Sequence, residues 1–206
     1  MNQLLKTSMA TTIKHELKAD MILAKGMDIL WSKGYNGTSV NDIVKAADIP
    51  KGSFYFYFDS KEDFAIKALQ RYFEVMYKPA LEILADKGDT PKRRLLNFYE
   101  YRVKVMKEQL NCTMGCLACN LSNEVAEANE NIRNAVSKIH TTVLGRLIDV
   151  AKAAQEAGEI DSSVDVKALI SFIEDAGKGA LISMKEAKSA SPIDNSLYIV
   201  KSMLLK

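Results

Sequence analysis

Residues 34–64 read GYNGTSVNDIVKAADIPKGSFYFYFDSKEDF, and this stretch decides the fold. Ser39 is a good N-cap for a short helix over about 39–46, with Asp42 three residues on as a capping-box variant. Ala46-Ala47-Asp48-Ile49 then forms a tight turn, in which Asp48 tolerates the left-handed conformation. Pro50 suits the first position of a second short helix over 50–57, which Asp59 and Ser60 break. Two short helices joined by such a turn make the helix-turn-helix plan, whose second helix enters the major groove of DNA.

The second helix carries the chemistry. Lys51-Gly52-Ser53 places a cation, an unobstructed backbone and a hydroxyl at its start, where phosphates and base edges can be approached closely. Phe54 to Phe58 are five aromatics in a row. A helix of that length cannot bury all five, so some face outward. Phe54 and Phe58 read as core, and an outward Tyr can donate to a phosphate or touch a thymine methyl. Lys61, in the first turn of the next helix, is a second place for phosphate contact.

Outward from this stretch the apolar spacing is mostly three to four, which predicts an all-α protein. The first helix is expected from about Ile13 to Lys33, with Gly34 as its stop. A fourth helix should begin after Ser60 and run to about Tyr77, where Pro79 bends or ends it. Helices are then expected over 91–110, 115–128, 131–157, 164–187 and 193–205. This gives a helix-turn-helix domain over 1–60, with an N-terminal arm, and a helical body over 61–206. The fourth helix links them.

The charge is nearly balanced, with 28 Lys and Arg against 26 Asp and Glu, for a net charge of +2 over 206 residues. This excludes grip on nucleic acid by bulk charge but not a small basic face. The local excess is the tail, where Lys6, Lys14 and Lys18 oppose Glu16, and a flexible basic arm is expected there. No stretch reaches the ~20 apolar residues of a membrane span, and no signal-peptide core opens the chain. A cytoplasmic protein with reduced thiols is expected. No HExxH, GxSxG, Walker A or Rossmann glycine pattern occurs, so no enzyme is expected.

The stretch resembles the TetR family of bacterial transcriptional regulators. The matching elements are Gly34-Tyr35, Thr38-Ser39-Val40, Asp42-Ile43, Ala46-Ala47, Lys51-Gly52, Phe54-Tyr55, Phe58 and Ser60-Lys61-Glu62. Asp48 stands where the family usually has Gly, Pro50 where it often has Ser or Thr, Phe56 and Tyr57 where it often has Tyr and His, and Gly26 where Ala is usual. The resemblance implies DNA contact by Thr38, Ser39, Lys51, Gly52, Ser53, Tyr55, Tyr57 and Lys61. It also implies a ligand-binding and dimerising body, with a homodimer through the last two helices on a palindromic DNA operator. A small-molecule inducer would release the DNA. Candidate liners of its cavity are Phe98, Tyr101, Arg102, Met106, Cys116, Asn120 and Phe172, and no cofactor or metal is expected.

Cys112, Cys116 and Cys119 share a helix face if they share a helix. Three readings stand: small core residues, a redox or electrophile sensor centred on Cys116, and a metal site completed by His140. Gly177, Gly179 and Ala180 would let another helix approach closely.

Overall fold

The computed structural model describes the backbone of residues 2–204 and the side chains of residues 15–204. The described elements are all helical: α1 (Asn2–Lys33), α2 (Val40–Ala47), α3 (Lys51–Tyr57), α4 (Lys61–Tyr72), a π-helical turn (Phe73–Tyr77), α5 (Lys78–Ala85), α6 (Pro91–Glu108), α7 (Leu117–Val125), α8 (Glu130–Glu156), α9 (Val166–Ala187) and α10 (Ser191–Leu204). By compactness the chain divides into residues 1–72 with 120–135, and residues 73–119 with 136–206. The first unit thus takes in α4 and a distant segment as well as the helices before residue 60.

Two expected boundaries are corrected. The first helix begins at Asn2, not near Ile13. Residues 2–12 contain neither Gly nor Pro, so nothing breaks the helix there. The backbone of the expected flexible arm is therefore helix, and the side chains of Lys6 and Lys14 lie outside the described residues. Helix also continues past Pro79 to Ala85. Pro79 sits in the first turn of α5, where a missing N–H costs little, and the π turn before it rearranges the ladder upstream.

In the first unit α1 packs against α2 and α4, and α2 against α3. Ile22, Leu30, Ile43, Phe54, Phe58, Phe64 and Leu69 form the buried interior. Gly26 explains itself here. A Cβ on it would lie 2.5 Å from Phe64 Cζ and 2.8 Å from Ile43 Cγ2, so any larger residue would push these side chains aside. Tyr72 closes the far end, edge-on to Trp31 with ring centroids 5.0 Å apart.

In the second unit α5 packs on α6, and α10 on α9 and α6. Leu95, Phe98, Leu117, Ile170 and Met184 are fully buried. Val136, Ile139, Val143, Leu147 and Val150 line the buried side of α8 at the spacing of one helical face. Asp165 caps α9 by accepting the Ala168 N–H at 3.0 Å, and Lys188 ends it in the left-handed conformation.

Candidate functional site

The reading head is built from its caps inward. Gly34, at φ 77°, ends α1. Ser39 caps α2 by accepting the Asp42 N–H at 3.1 Å, while Asp42 accepts the Ser39 N–H at 2.9 Å, which completes the capping box. Lys33 Nζ reaches the same carboxylate at 3.0 Å. The Ser39 hydroxyl and N–H, then Lys33, hold the Asp42 carboxyl well below the usual carboxylate range. Asp48 takes φ 52° in the turn, so Asp does what Gly does at this place in the family.

Pro50, expected as the first residue of α3, is its N-cap, and α3 begins at Lys51. Phe54 and Phe58 are fully buried, with tilted rings 5.2 Å apart, and Phe64 lies edge-on 5.1 Å from Phe58. They lock α3 in place and leave its other face to solvent. Lys51 and Gly52 are exposed, Ser53 half-buried, Tyr55 57% exposed and Phe56 70% exposed. Among the described residues, nothing lies within 4 Å of the position a Gly52 Cβ would take. Lys51, Gly52 and Tyr55 are therefore exposed, with the half-buried Ser53 beside them.

Besides the Ser39 cap, three of the expected contact residues are engaged within the chain. Thr38 is buried, and its hydroxyl donates to Gly34 O at 2.6 Å, so it fastens the end of α1 and faces away from solvent. Lys61 Nζ donates to Tyr35 O at 3.0 Å and lies 4.1 Å over the Tyr35 ring. Burial and the Glu62 carboxylate push the Tyr35 phenol up. Tyr57 is half-buried, with its ring 4.7 Å from that of His15 on α1, and Phe56 meets the same imidazole at 5.1 Å. His15 carries no sequence signal, because it lies outside the motif and touches α3 only through the fold.

In the second unit Arg102 donates to both Glu174 oxygens at 2.9 and 3.0 Å, with its guanidinium 5.4 Å from the Tyr77 and Phe98 rings. Arg102 and Met106 border a mainly apolar cavity with Tyr99, Gly177, Leu181 and Leu197. Phe98 is fully buried beside it and Tyr101 half-buried. Phe172 is 59% exposed, because Ile173, not Phe172, occupies the inward face of α9. Asn120 falls in the first compact unit. Among the described residues, a Cβ at Gly177 or Gly179 would meet nothing within 4 Å, so no described helix makes the expected close approach there.

The cysteines do not share one helix. Cys112 sits in the loop before α7 at φ 57°, packed beside the Met106, Met184 and Ile193 cluster. Cys116 precedes α7, buried, with its sulfur 3.5 Å from Tyr77 Oη. Burial, then Cys116, push the Tyr77 phenol well up, and the hydrogen bond with Cys116, then burial, push the Cys119 thiol well up. None of the three is in a disulfide. Among the described residues, no group of three or more His, Cys, Asp or Glu could hold a metal ion, and no helix is long and apolar enough to cross a membrane.

Two profiles match the chain: bacterial regulatory proteins of the tetR family over residues 22–68, and the tetracyclin repressor-like C-terminal domain over residues 91–199. The HTH-type transcriptional repressor DhaR of Mycobacterium sp. strain GP1 is 30% identical over 89% of this chain and 90% of its own length. The regulatory protein TetR from Rhodobacter sphaeroides superposes with a TM-score of 0.83 at 27% identity, over 91% of this chain and 98% of that one. E. coli NemR, solved in its reduced form, gives a TM-score of 0.79 at 27% identity, over 90% and 97%. With the helix-turn-helix in its N-terminal part and the matched C-terminal domain after it in sequence, the chain belongs to the TetR family of non-enzymatic, DNA-binding transcriptional regulators.

Proposed function

We propose that this regulator is a ligand-released repressor that binds a palindromic operator as a homodimer. The observation that carries the reading is the split face of α3. Phe54 and Phe58 are spent on the core, while Lys51, Gly52 and Tyr55 are exposed. Lys51 and Tyr55 supply phosphate or base-edge contacts, Gly52 allows close backbone approach, and Ser53, Tyr57 and the Ser39 cap flank them. Lys61 adds a phosphate contact with the donors that Tyr35 leaves over. Thr38 supports the turn from inside.

The dimer surface is supported by a row of exposed apolar side chains on α9 and α10: Phe172, Ile182, Tyr198, Ile199 and Met203. Two-fold pairing there would set two α3 helices against two half-sites. A small molecule held near Arg102 and Met106 would release DNA if it prefers a body conformation in which those helices are wrongly spaced.

Lys51→Ala with Tyr55→Ala tests the DNA reading. Operator binding by electrophoretic shift is expected to vanish while the dimer stays folded. Full retained binding would refute the assignment.

A second reading keeps the DNA function and replaces the ligand by thiol oxidation. It is supported by the hydrogen-bonded Cys116 and Cys119 pair and by the likeness to NemR. The thiolate is the reactive form, and the raised Cys119 thiol argues for the ligand reading over this one. Cys116→Ser separates them, since an unchanged response to oxidant would sink the thiol switch.

A further inference from the structure

One carboxylate grips the reading head from far along the chain. Glu124, near the end of α7, accepts the Tyr35 N–H on Oε2 and the Asn36 N–H on Oε1, each at 2.7 Å. The partners are 89 and 88 positions apart in sequence. The fit is close: Gly34 holds the turn at φ 77°, and a Cβ on it would lie 2.5 Å from Glu124 Oε2. A carboxylate accepting two amides makes charge-assisted bonds, about twice as strong as neutral ones.

The gripped turn feeds directly into the reading elements. Tyr35 takes Lys61 on its carbonyl and under its ring. Gly34 O takes the Thr38 hydroxyl, and the next residue, Ser39, starts α2. Since α2 packs on α3, the seat of this turn sets the aim of α3. A second hold lies beside it. Glu62, in the first turn of α4, accepts Asn129 Nδ2 at 2.6 Å and Asn131 Nδ2 at 2.7 Å. All of these residues lie within the one compact unit of residues 1–72 and 120–135.

We propose that Glu124 is a positioning residue for operator recognition: without touching DNA, its carboxylate seats the turn between α1 and α2 and thereby aims α3. Asn129 and Asn131, through Glu62, are the second anchor. The inference rests on the reading of α3 as the DNA reader. A positioning role acts on discrimination. Mis-aimed side chains lose base-edge contacts, while the sequence-independent attraction to phosphate survives and even gains from losing a negative charge.

The test is Glu124→Gln. The carboxamide accepts on one side only and turns an NH2 toward the other N–H. Binding is measured by fluorescence anisotropy on two labelled duplexes: the sequence that the wild-type protein selects from a random library, and a scrambled version of it. The ratio of the two affinities is expected to fall about tenfold per half-site, the equivalent of one charge-assisted hydrogen bond. Affinity for scrambled DNA should hold or rise, with dimer mass and melting temperature near wild type. An unchanged ratio, or an equal loss on both duplexes, overturns the role of Glu124. If Glu124→Gln does not fold, Asn131→Ala decides, because Asn131 is exposed and its loss removes one bond to Glu62. Its ratio should drop about two- to threefold, a loss at the low end for one hydrogen bond, and no drop overturns the proposal. A wild-type protein that selects no sequence would overturn the DNA reading, and this inference with it.

Discussion

Gly52→Ala separates what the fold needs from what DNA binding needs. Gly52 is the second residue of α3, and a methyl there meets nothing within 4 Å. In the free protein the substitution removes backbone entropy from the unfolded chain and improves helix propensity, so stability should rise by roughly 0.5–1 kcal/mol. The exposed first turn of a seven-residue helix puts the gain at the low end. If α3 reads DNA as proposed, the same methyl would stand between the α3 backbone and the phosphate it approaches. Losing one contact to a charged group costs about 1.5 kcal/mol, and a dimer loses it twice, so operator affinity should fall roughly a hundredfold. Urea unfolding reads the first effect and anisotropy titration of a selected duplex the second. The two have opposite signs, so a general loss of structure cannot imitate them. Higher stability with undiminished operator affinity would refute the reasoning and leave Gly52 facing solvent in the complex.

Gly26→Ala should do the reverse. Its methyl would press on Phe64 and Ile43, both fully buried, and overpacking of 1–3 kcal/mol outweighs a propensity gain of about 1 kcal/mol. The urea midpoint should therefore fall by an equivalent of about 1 kcal/mol, and a rise would mean that the Phe64 ring yields freely. Asp42 gives a pH dependence. Its folded carboxyl lies well below the unfolded value of about 3.9, so its contribution is complete above that pH and drains away as pH falls further. Asp42→Asn should flatten the stability curve below about pH 4, and a curve that keeps its slope would mean that Asp42 is not the group titrating there. Phe172→Glu with Tyr198→Glu, at positions 59% and 71% exposed, should yield monomers by light scattering and weaken operator binding. An unchanged dimer mass would move the interface elsewhere.

The reading head was legible because its signals are local. Ser39 with Asp42, Asp48 in the turn, and Phe54 with Phe58 at i and i+4 each declare their structure within four residues, and each takes the expected form. The resemblance added an expectation that the structure turns around at Thr38, whose hydroxyl is consumed by Gly34 O. Burial of a hydroxyl depends on what packs over it, and no local pattern states that. Gly26 shows the same limit from the other side. In sequence it reads as a propensity cost, while in the fold any larger residue would push Phe64 and Ile43 aside.

The body was legible as helices but not as a site. A stripe such as Val136, Ile139, Val143, Leu147 and Val150 announces a buried face without naming what it faces. Phe172 and Ile173 differ by one position and about 100° of helix rotation, and that rotation decides cavity against surface. The cysteine spacing promised a shared face only if the helix reached Cys112, and it starts at Leu117. Glu124 marks the deepest limit. Nothing around it in SNEVAEANENI distinguishes it from a solvated helix acid, since the meaning of its carboxylate lies in two N–H groups nearly ninety residues away. Variation at Glu124, Asn129 and Asn131 should therefore alter operator preference even when every side chain of α3 is kept.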